Sequence, residues 1–271
     1  MSSLSNSLGD ASFSPADLDR IIAETFIDRV EYRPEFGSTN SRALELAAES
    51  PDGTSTLVLA DRQTDGRGRG TNRWWSADGA LTFSVLLKPN LVDLPTNRWP
   101  QASLTAGLAV CDAVESLVDD VNLSLKWPND VFLAGRKLCG ILVEATDGRE
   151  RSLVVGIGVN VNNSVLTAPA DIRDKAVALC DFATTPTRRI DVLVTILQCL
   201  ATRLERLSTG IDVLRHDWRS RCLLTGRKVH LELPLGRVVG ICRGIDDDGA
   251  LMLETDAGLE RCVSGVIVQF E

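Results

Sequence analysis

Ile190, Leu193, Val194, Leu197, Leu200, Leu204 and Leu207 recur every three or four positions, which predicts a long helix with one apolar face. A face of that length has to be buried, so the chain must build a packed layer against it. A second helical spacing runs through Leu104, Leu108, Cys111, Val114 and Val118. A third, through Leu44, Ala47 and Ala48, follows Ser38-Thr39-Asn40, where Ser38 or Thr39 is the expected N-cap. Strand patterns lie between them. Residues 57–60 form a short apolar run, and Leu81, Phe83 and Val85 alternate with polar neighbours as in a half-buried strand. Leu123, Leu125 and Trp127 alternate until Pro128 stops the run, and residues 140–144 and 153–161 read as further strands.

The pattern changes after about Leu223. Short strands are expected at 228–233, 237–244, 250–254, 260–262 and 266–270, with Asp246-Asp247-Asp248-Gly249 as a turn. This predicts a small β-barrel appended to a mixed α/β domain. The expected division is a disordered lead-in over 1–15, a catalytic domain over 16–222 and the barrel over 223–271.

Composition narrows the function classes. The net charge of −8 disfavours a basic nucleic-acid surface. Positive charge is instead local, at Arg67, Arg69 and Arg73 and again at Lys126, Arg136 and Lys137, islands that suit small anions. No apolar run reaches the roughly 18 residues of a membrane span, and the Ser-rich start lacks the pattern of a secretion signal. Seven cysteines without a Cys-x-x-Cys pair, and only His216 and His230, argue against zinc. They suit a cytoplasmic protein with reduced thiols.

Three stretches carry chemistry. In Asp65-Gly66-Arg67-Gly68-Arg69-Gly70, permissive backbone alternates with guanidinium, with Gln63 before it and Trp74-Trp75 after it. This is an anion-grasping loop, expected to order when an anion is present; a solvated loop is the plain alternative. It is no dinucleotide fingerprint, because Thr71 stands where a third glycine is needed, and no Gly-Lys-Ser/Thr triplet makes a Walker loop. The second stretch is Lys126-Trp127-Pro128-Asn129-Asp130, followed by Arg136-Lys137 and a strand through Gly140 to Glu144. Asn129 and Asp130 alone could be satisfying a turn, whereas two lysines converging on an aspartate need another reason. The third is Gly156-Ile157-Gly158-Val159-Asn160, a strand whose glycines mark either a bulge or close approach by another backbone or a ligand.

In this order and combination the chain closely resembles the biotin protein ligases, of the short type without an N-terminal DNA-binding domain. The resemblance covers about residues 30 to 270. It implies an α+β fold: a mixed-sheet catalytic domain related to class II synthetases and lipoate ligases, with a small C-terminal β-barrel. It also implies two steps. The carboxylate of biotin attacks the α-phosphate of ATP, with Mg²⁺, to give biotinyl-5′-AMP and pyrophosphate. A lysine of a biotin carboxyl carrier domain of an acyl-CoA carboxylase then takes the biotinyl group and AMP leaves.

By motif position the resemblance assigns Ser38, Thr39, Asn40 and Gln63 to the ureido ring and Gly140 to the floor under the biotin tail. Arg67, between Gly66 and Gly68, is assigned to the carboxyl or adenylate phosphate, Arg69 to the phosphates, and Lys137 to the carboxyl and bridging oxygens. Trp74, Lys126, Asn129 and Asn160 are assigned to the nucleotide, and Asp130 to Mg²⁺ or the incoming amine. Glu144 is read only as a strand-end charge.

Two rivals share parts of this pattern. A lipoate or octanoate ligase or transferase shares the fold but not the combined motifs; Cys139 could serve such a transferase, although a buried small residue is its plainer reading. A biotin-responsive repressor would need a DNA-reading domain, and only about 35 residues precede the Ser38 turn. No DNA and no membrane partner is expected. The sequence does not give the oligomeric state; a free strand edge beside residues 156–161 is the place where a second copy could pair.

Overall fold

The computed structural model describes residues 12–49, 53–87, 99–146, 152–165, 168–182, 187–209 and 211–271. Residues 1–11 of the expected lead-in lie outside them, but its last residues are folded. Ser14 caps helix α1 (Pro15–Glu24) in a capping box, its hydroxyl accepting from Asp17 N at 3.2 Å. Phe13 is buried, edge-on to Tyr32 and beneath the Arg189 guanidinium. The polarity of its neighbours hides this core residue in the sequence.

The larger sheet is assembled from β1 (Arg29–Phe36), β2 (Thr56–Gln63), β3 (Leu81–Leu87), β4 (Leu123–Lys126), β5 (Asp130–Leu133), β6 (Arg136–Ala145) and β7 (Leu153–Val159), in the order β1-β2-β3-β7-β6-β5-β4. β1 and β2 pair parallel and the other neighbours antiparallel, so the sheet is mixed, as expected. Helix α2 (Thr39–Glu49) packs through Ala43 and Leu46 on Val58, Ala60, Leu86 and Val154 at one face. Helix α3 (Trp99–Leu117) and helix α5 (Arg189–Thr209) pack on each other, with the predicted stripe of α5 in the main core. Between β7 and α5 lies the single-turn helix α4 (Ala170–Arg173).

Two expectations change. β3 is buried on both faces rather than half-buried, because α2 covers the side to which Thr82 and Ser84 point. And β7 lies between β3 and β6, so the strand edge expected beside residues 156–161 is already paired; the edges of the sheet are β1 and β4.

Helix α6 (Ile211–Arg221) leads into β8 (Lys228–Leu233), β9 (Gly236–Ile245), β10 (Leu251–Thr255), β11 (Gly258–Cys262) and β12 (Val266–Phe270). They form an antiparallel sheet of order β11-β10-β9-β8-β12. This C-terminal unit is fastened to the larger sheet by main-chain acceptors: Leu223 N donates to Leu125 O at 2.9 Å, Trp127 Nε1 to Gly249 O at 3.1 Å and Gln101 Nε2 to Asp247 O at 2.9 Å. The second and third bonds leave the elements that also carry the Lys126–Asp130 motif or brace it.

Candidate active site

A cavity of about 760 Å³ opens between the sheet, the arginine loop and the C-terminal unit. Its floor is β6 and β7, and the floor is glycine for a spatial reason. A Cβ on Gly158 would overlap the Trp74 indole, and one on Gly156 would overlap Asn40 Oδ1. A Cβ on Gly140 would sit 3.2 Å from Lys137 Nζ and 3.5 Å from the Trp74 ring. The glycines do mark close approach, but the approaching groups are side chains of this chain, Asn40 and Trp74, in place of the backbone or ligand expected.

The α2 end of the cavity is a chain of polar contacts. Ser38 Oγ accepts from Ser41 N at 3.4 Å, which makes Ser38 the N-cap. Gln63 Oε1 accepts from Thr39 N at 2.6 Å and from Thr39 Oγ1 at 3.0 Å. Ser84 Oγ lies 2.8 Å from Thr39 Oγ1 and 2.6 Å from Asn40 Oδ1. Asn40 Nδ2 donates to Leu142 O at 3.2 Å and to Glu144 Oε2 at 2.9 Å. The other carboxylate oxygen of Glu144 accepts from Arg67 at 2.5 Å. The amide orientations of Gln63 and Asn40 are thereby fixed by the protein itself.

The arginine loop is a small hairpin. Gly68 N donates to Asn72 O and Trp74 N to Gly66 O, both at 2.9 Å, across an Arg67–Arg73 bridge. A Cβ on Gly66 would come within 2.5 Å of Trp74 O, so this glycine admits the loop's own opposite side, not a ligand as expected; Gly66 does not line the cavity. Gly68 and the arginines on either side of it do.

Five cations line the cavity, three paired and two not, and one of the paired ones is Arg73, held by Asp65 at 2.6 Å. Arg67 pairs with Glu144, and Lys137 Nζ pairs with Asp130 Oδ1 at 2.6 Å. Arg69 and Lys126 pair with no carboxylate among the described residues. Arg69 donates to Gly265 O at 2.7 Å and lies over the Trp127 ring; burial lowers its pKa. Lys126 faces the rings of Phe132 and Phe270 at 5.9 and 5.5 Å. Burial, with the Lys137 charge adding to it and Asp130 opposing, depresses its ammonium below the usual lysine range. Two partly desolvated cations that form no ion pair among the described residues suit the cavity to an anion.

The remaining predicted residues divide. Asn129 lines the cavity, its Nδ2 donating to Ile141 O at 2.7 Å. Trp74 lies on the floor with its Nε1 buried and without a partner. Asn160 is not brought to the cavity: its amide donates to Val177 O at 3.1 Å and accepts from Asn163, bracing the segment behind β7. Cys139 is fully buried and its thiol is pushed well above the usual range by burial, which makes it a packing residue and a poor nucleophile.

Sequence reasoning missed Glu144, Ser84 and the rim formed by residues 232–234 and 264–267 of the C-terminal unit. A signal for Glu144 existed. It stands four residues after Gly140 on one strand, hence on the same face.

Comparison with known proteins gives two family matches. The Biotin/lipoate A/B protein ligase family matches residues 35–162, and the Biotin protein ligase C terminal domain matches residues 225–268. Biotin--[acetyl-CoA-carboxylase] ligase of Mycobacterium tuberculosis is 38% identical over 80% of this chain and 80% of its own length. Bifunctional ligase/repressor BirA of Bacillus subtilis is 36% identical over 87% of this chain and 72% of its own. Among solved structures, biotin protein ligase from Aquifex aeolicus in complex with biotin and ATP superposes with a TM-score of 0.76 at 30% identity, covering 90% of this chain and 99% of that one.

Proposed function

The chain belongs to the biotin/lipoate A/B protein ligase family, and from that premise we propose that it activates biotin with ATP as biotinyl-5′-AMP and passes the biotinyl group to a lysine of a carboxylase carrier domain. The observation that carries the reading is the pairing of cations in the cavity. Arg69 and Lys126 have charge to give to a polyphosphate, while Arg67 and Lys137 are held in place by Glu144 and Asp130. A carboxylate and a triphosphate repel each other, and this arrangement cancels that repulsion before in-line attack.

In this reading the ureido ring of biotin sits at the α2 end. Gln63 has spent its oxygen on Thr39 and offers its amide hydrogens to the ureido carbonyl, with Ser38, Thr39 and Asn40 shaping the pocket. The biotin tail crosses Gly140. Its carboxylate meets Arg67 and Lys137, where the lysine neutralises charge on the bridging oxygens as AMP leaves in the second step. Arg69, Lys126 and Asn129 face the nucleotide, and the unpartnered Trp74 indole N–H is a donor at the same end.

Mg²⁺ enters as part of the substrate MgATP. No cluster of three acidic, His or Cys ligands exists among the described residues. The donors fit a magnesium held by one carboxylate, that of Asp130, and completed by phosphate oxygens and water. Seven free cysteines support a cytoplasmic setting, and a net charge of −8 supports an enzyme without a nucleic-acid partner. We divide the chain functionally at 222/223, and a homodimer would have to use an edge other than β7.

The test is incubation with biotin, MgATP and a biotin carboxyl carrier domain, followed by the mass of the carrier and assay of pyrophosphate. Gain of one biotinyl group, dependent on ATP, is expected. Pyrophosphate release that responds to lipoate and not to biotin would assign the lipoate reading instead.

A further inference from the structure

Glu144 lies where the two ends of the substrate would be felt at once. Its Oε2 accepts from Asn40, whose amide is packed on Gly156 beside the ureido pocket, and its Oε1 accepts from Arg67 at the carboxylate end. The contact with Arg67 is a charge-assisted bond of 2.5 Å, and Ser41 Oγ lies 3.3 Å from the other terminal nitrogen of the same guanidinium. The Arg67 side chain is 41% exposed, and its loop is otherwise held by its own hairpin bonds, by Asp65 N to Gly37 O and by Arg69 to Gly265 O, none of which reaches β6 or β7. Glu144 is therefore the group that ties this side chain to the rigid sheet.

We propose that Glu144 is a positioning residue for biotin activation: it fixes Arg67 over the floor so that the remaining guanidinium donors meet the biotin carboxylate, and it couples that orientation to Asn40 at the ureido end. The inference rests on the ligase reading above. A guanidinium has five N–H donors, so Arg67 can keep Glu144 and bind a second anion. The same carboxylate sets a cost on displacing the loop, because an Arg67 that leaves the site strands Glu144 beside an amide alone. Ser84 completes the chain from the other side, with its hydroxyl 2.6 Å from Asn40 Oδ1.

The test uses the full chain and a carrier-independent readout, pyrophosphate release against biotin concentration. Glu144→Gln keeps an acceptor for Asn40 and removes the charge facing Arg67. It is expected to raise the KM for biotin about tenfold with a much smaller change in kcat, since an orienting contact to the ground state is lost. Glu144→Asp, one methylene shorter, should not restore it. In an Arg67→Ala background the Glu144→Gln change should have no further effect on KM, because the residue acts through Arg67. Thermal unfolding of each variant separates misfolding from mispositioning. A Glu144→Gln enzyme with unchanged KM, or an equal rise in both backgrounds, overturns the inference. If the wild-type chain releases no pyrophosphate with biotin, the ligase reading fails instead.

Discussion

The amide oxygen of Asn40 occupies the space that a Cβ would take at Gly156. A residue of helix α2 and a residue of strand β7 thus share one volume, and the polar chain from Gln63 to Arg67 runs through that contact.

Gly156→Ala is the direct check on this contact. The methyl group must displace Asn40, which breaks its bonds to Ser84, Leu142 and Glu144. The expected cost is about 1–3 kcal/mol of stability from overpacking. Affinity for biotin should fall as well. Isothermal titration with biotin and denaturant unfolding measure the two effects separately, and a variant that binds biotin like the wild type contradicts the placement of Asn40.

Lys126 opposes stability in the fold, and in the proposed reading it serves nucleotide binding. Burial lowers its pKa in the fold, so between that value and the ordinary lysine value of about 10.4 the unfolded chain holds more protons than the folded one. The stability cost of its charge is full below the folded pKa and is relieved as pH rises towards the unfolded one. Lys126→Met should therefore gain Tm relative to wild type more at about pH 7 than at about pH 10. Adenylate formation should drop about a hundredfold, the scale of losing one preorganised charge stabiliser.

Lys137 and Asp130 form a pair across β5 and β6, and removing either member has a different signature. Lys137→Ala should lower adenylate formation about a hundredfold while biotin still binds. Asp130→Asn leaves the lysine in the cavity without its anchor, so its effect should show as a changed dependence on Mg²⁺ together with a smaller loss of rate. Pyrophosphate release over a magnesium series distinguishes them. An unchanged adenylation rate in Lys137→Ala would remove the lysine from the first step.

The arginine loop gives a structural test that needs no carrier domain. Trypsin should cut after Arg67 or Arg69, and biotin with MgATP should slow the cut, because both side chains gain an anion. Biotin alone should protect less than the two together. Equal cutting rates in all conditions would mean that the loop does not close on the ligand.

What the sequence made legible was periodic or chemical. The α5 stripe, the spacing of β6 and β7 and the break near Leu223 follow from side-chain periods that local patterning carries directly. The cation islands named most of the cavity, because each sits beside a turn or strand end. What stayed hidden depended on pairing between distant segments. Nothing local to residues 156–161 says that β7 is central, and Asn160 looks like its neighbours in the motif although it faces away. Glu144 seemed a terminal charge because its partners, Asn40 and Arg67, lie far from it in the chain. Gly66 was expected to admit a ligand, and only the hairpin explains that it admits Trp74 O.

The bond from Arg69 to the main-chain carbonyl of Gly265 spans the two units of the chain. A carbonyl offers no side chain to mutate, so the link depends on the backbone path of the turn, which Gly265 holds at a φ of +140° with no room for a Cβ beside Leu231. Substitutions around residues 264–266 should accordingly be read as enzymology, not as surface variation: a turn that shifts by a fraction of an ångström re-aims a guanidinium on the far side of the cleft. The C-terminal sheet would then act as a gauge for the phosphate end of the site, and a catalytic unit expressed without it would keep its floor and its biotin pocket but lose the reference point for one of its five cations.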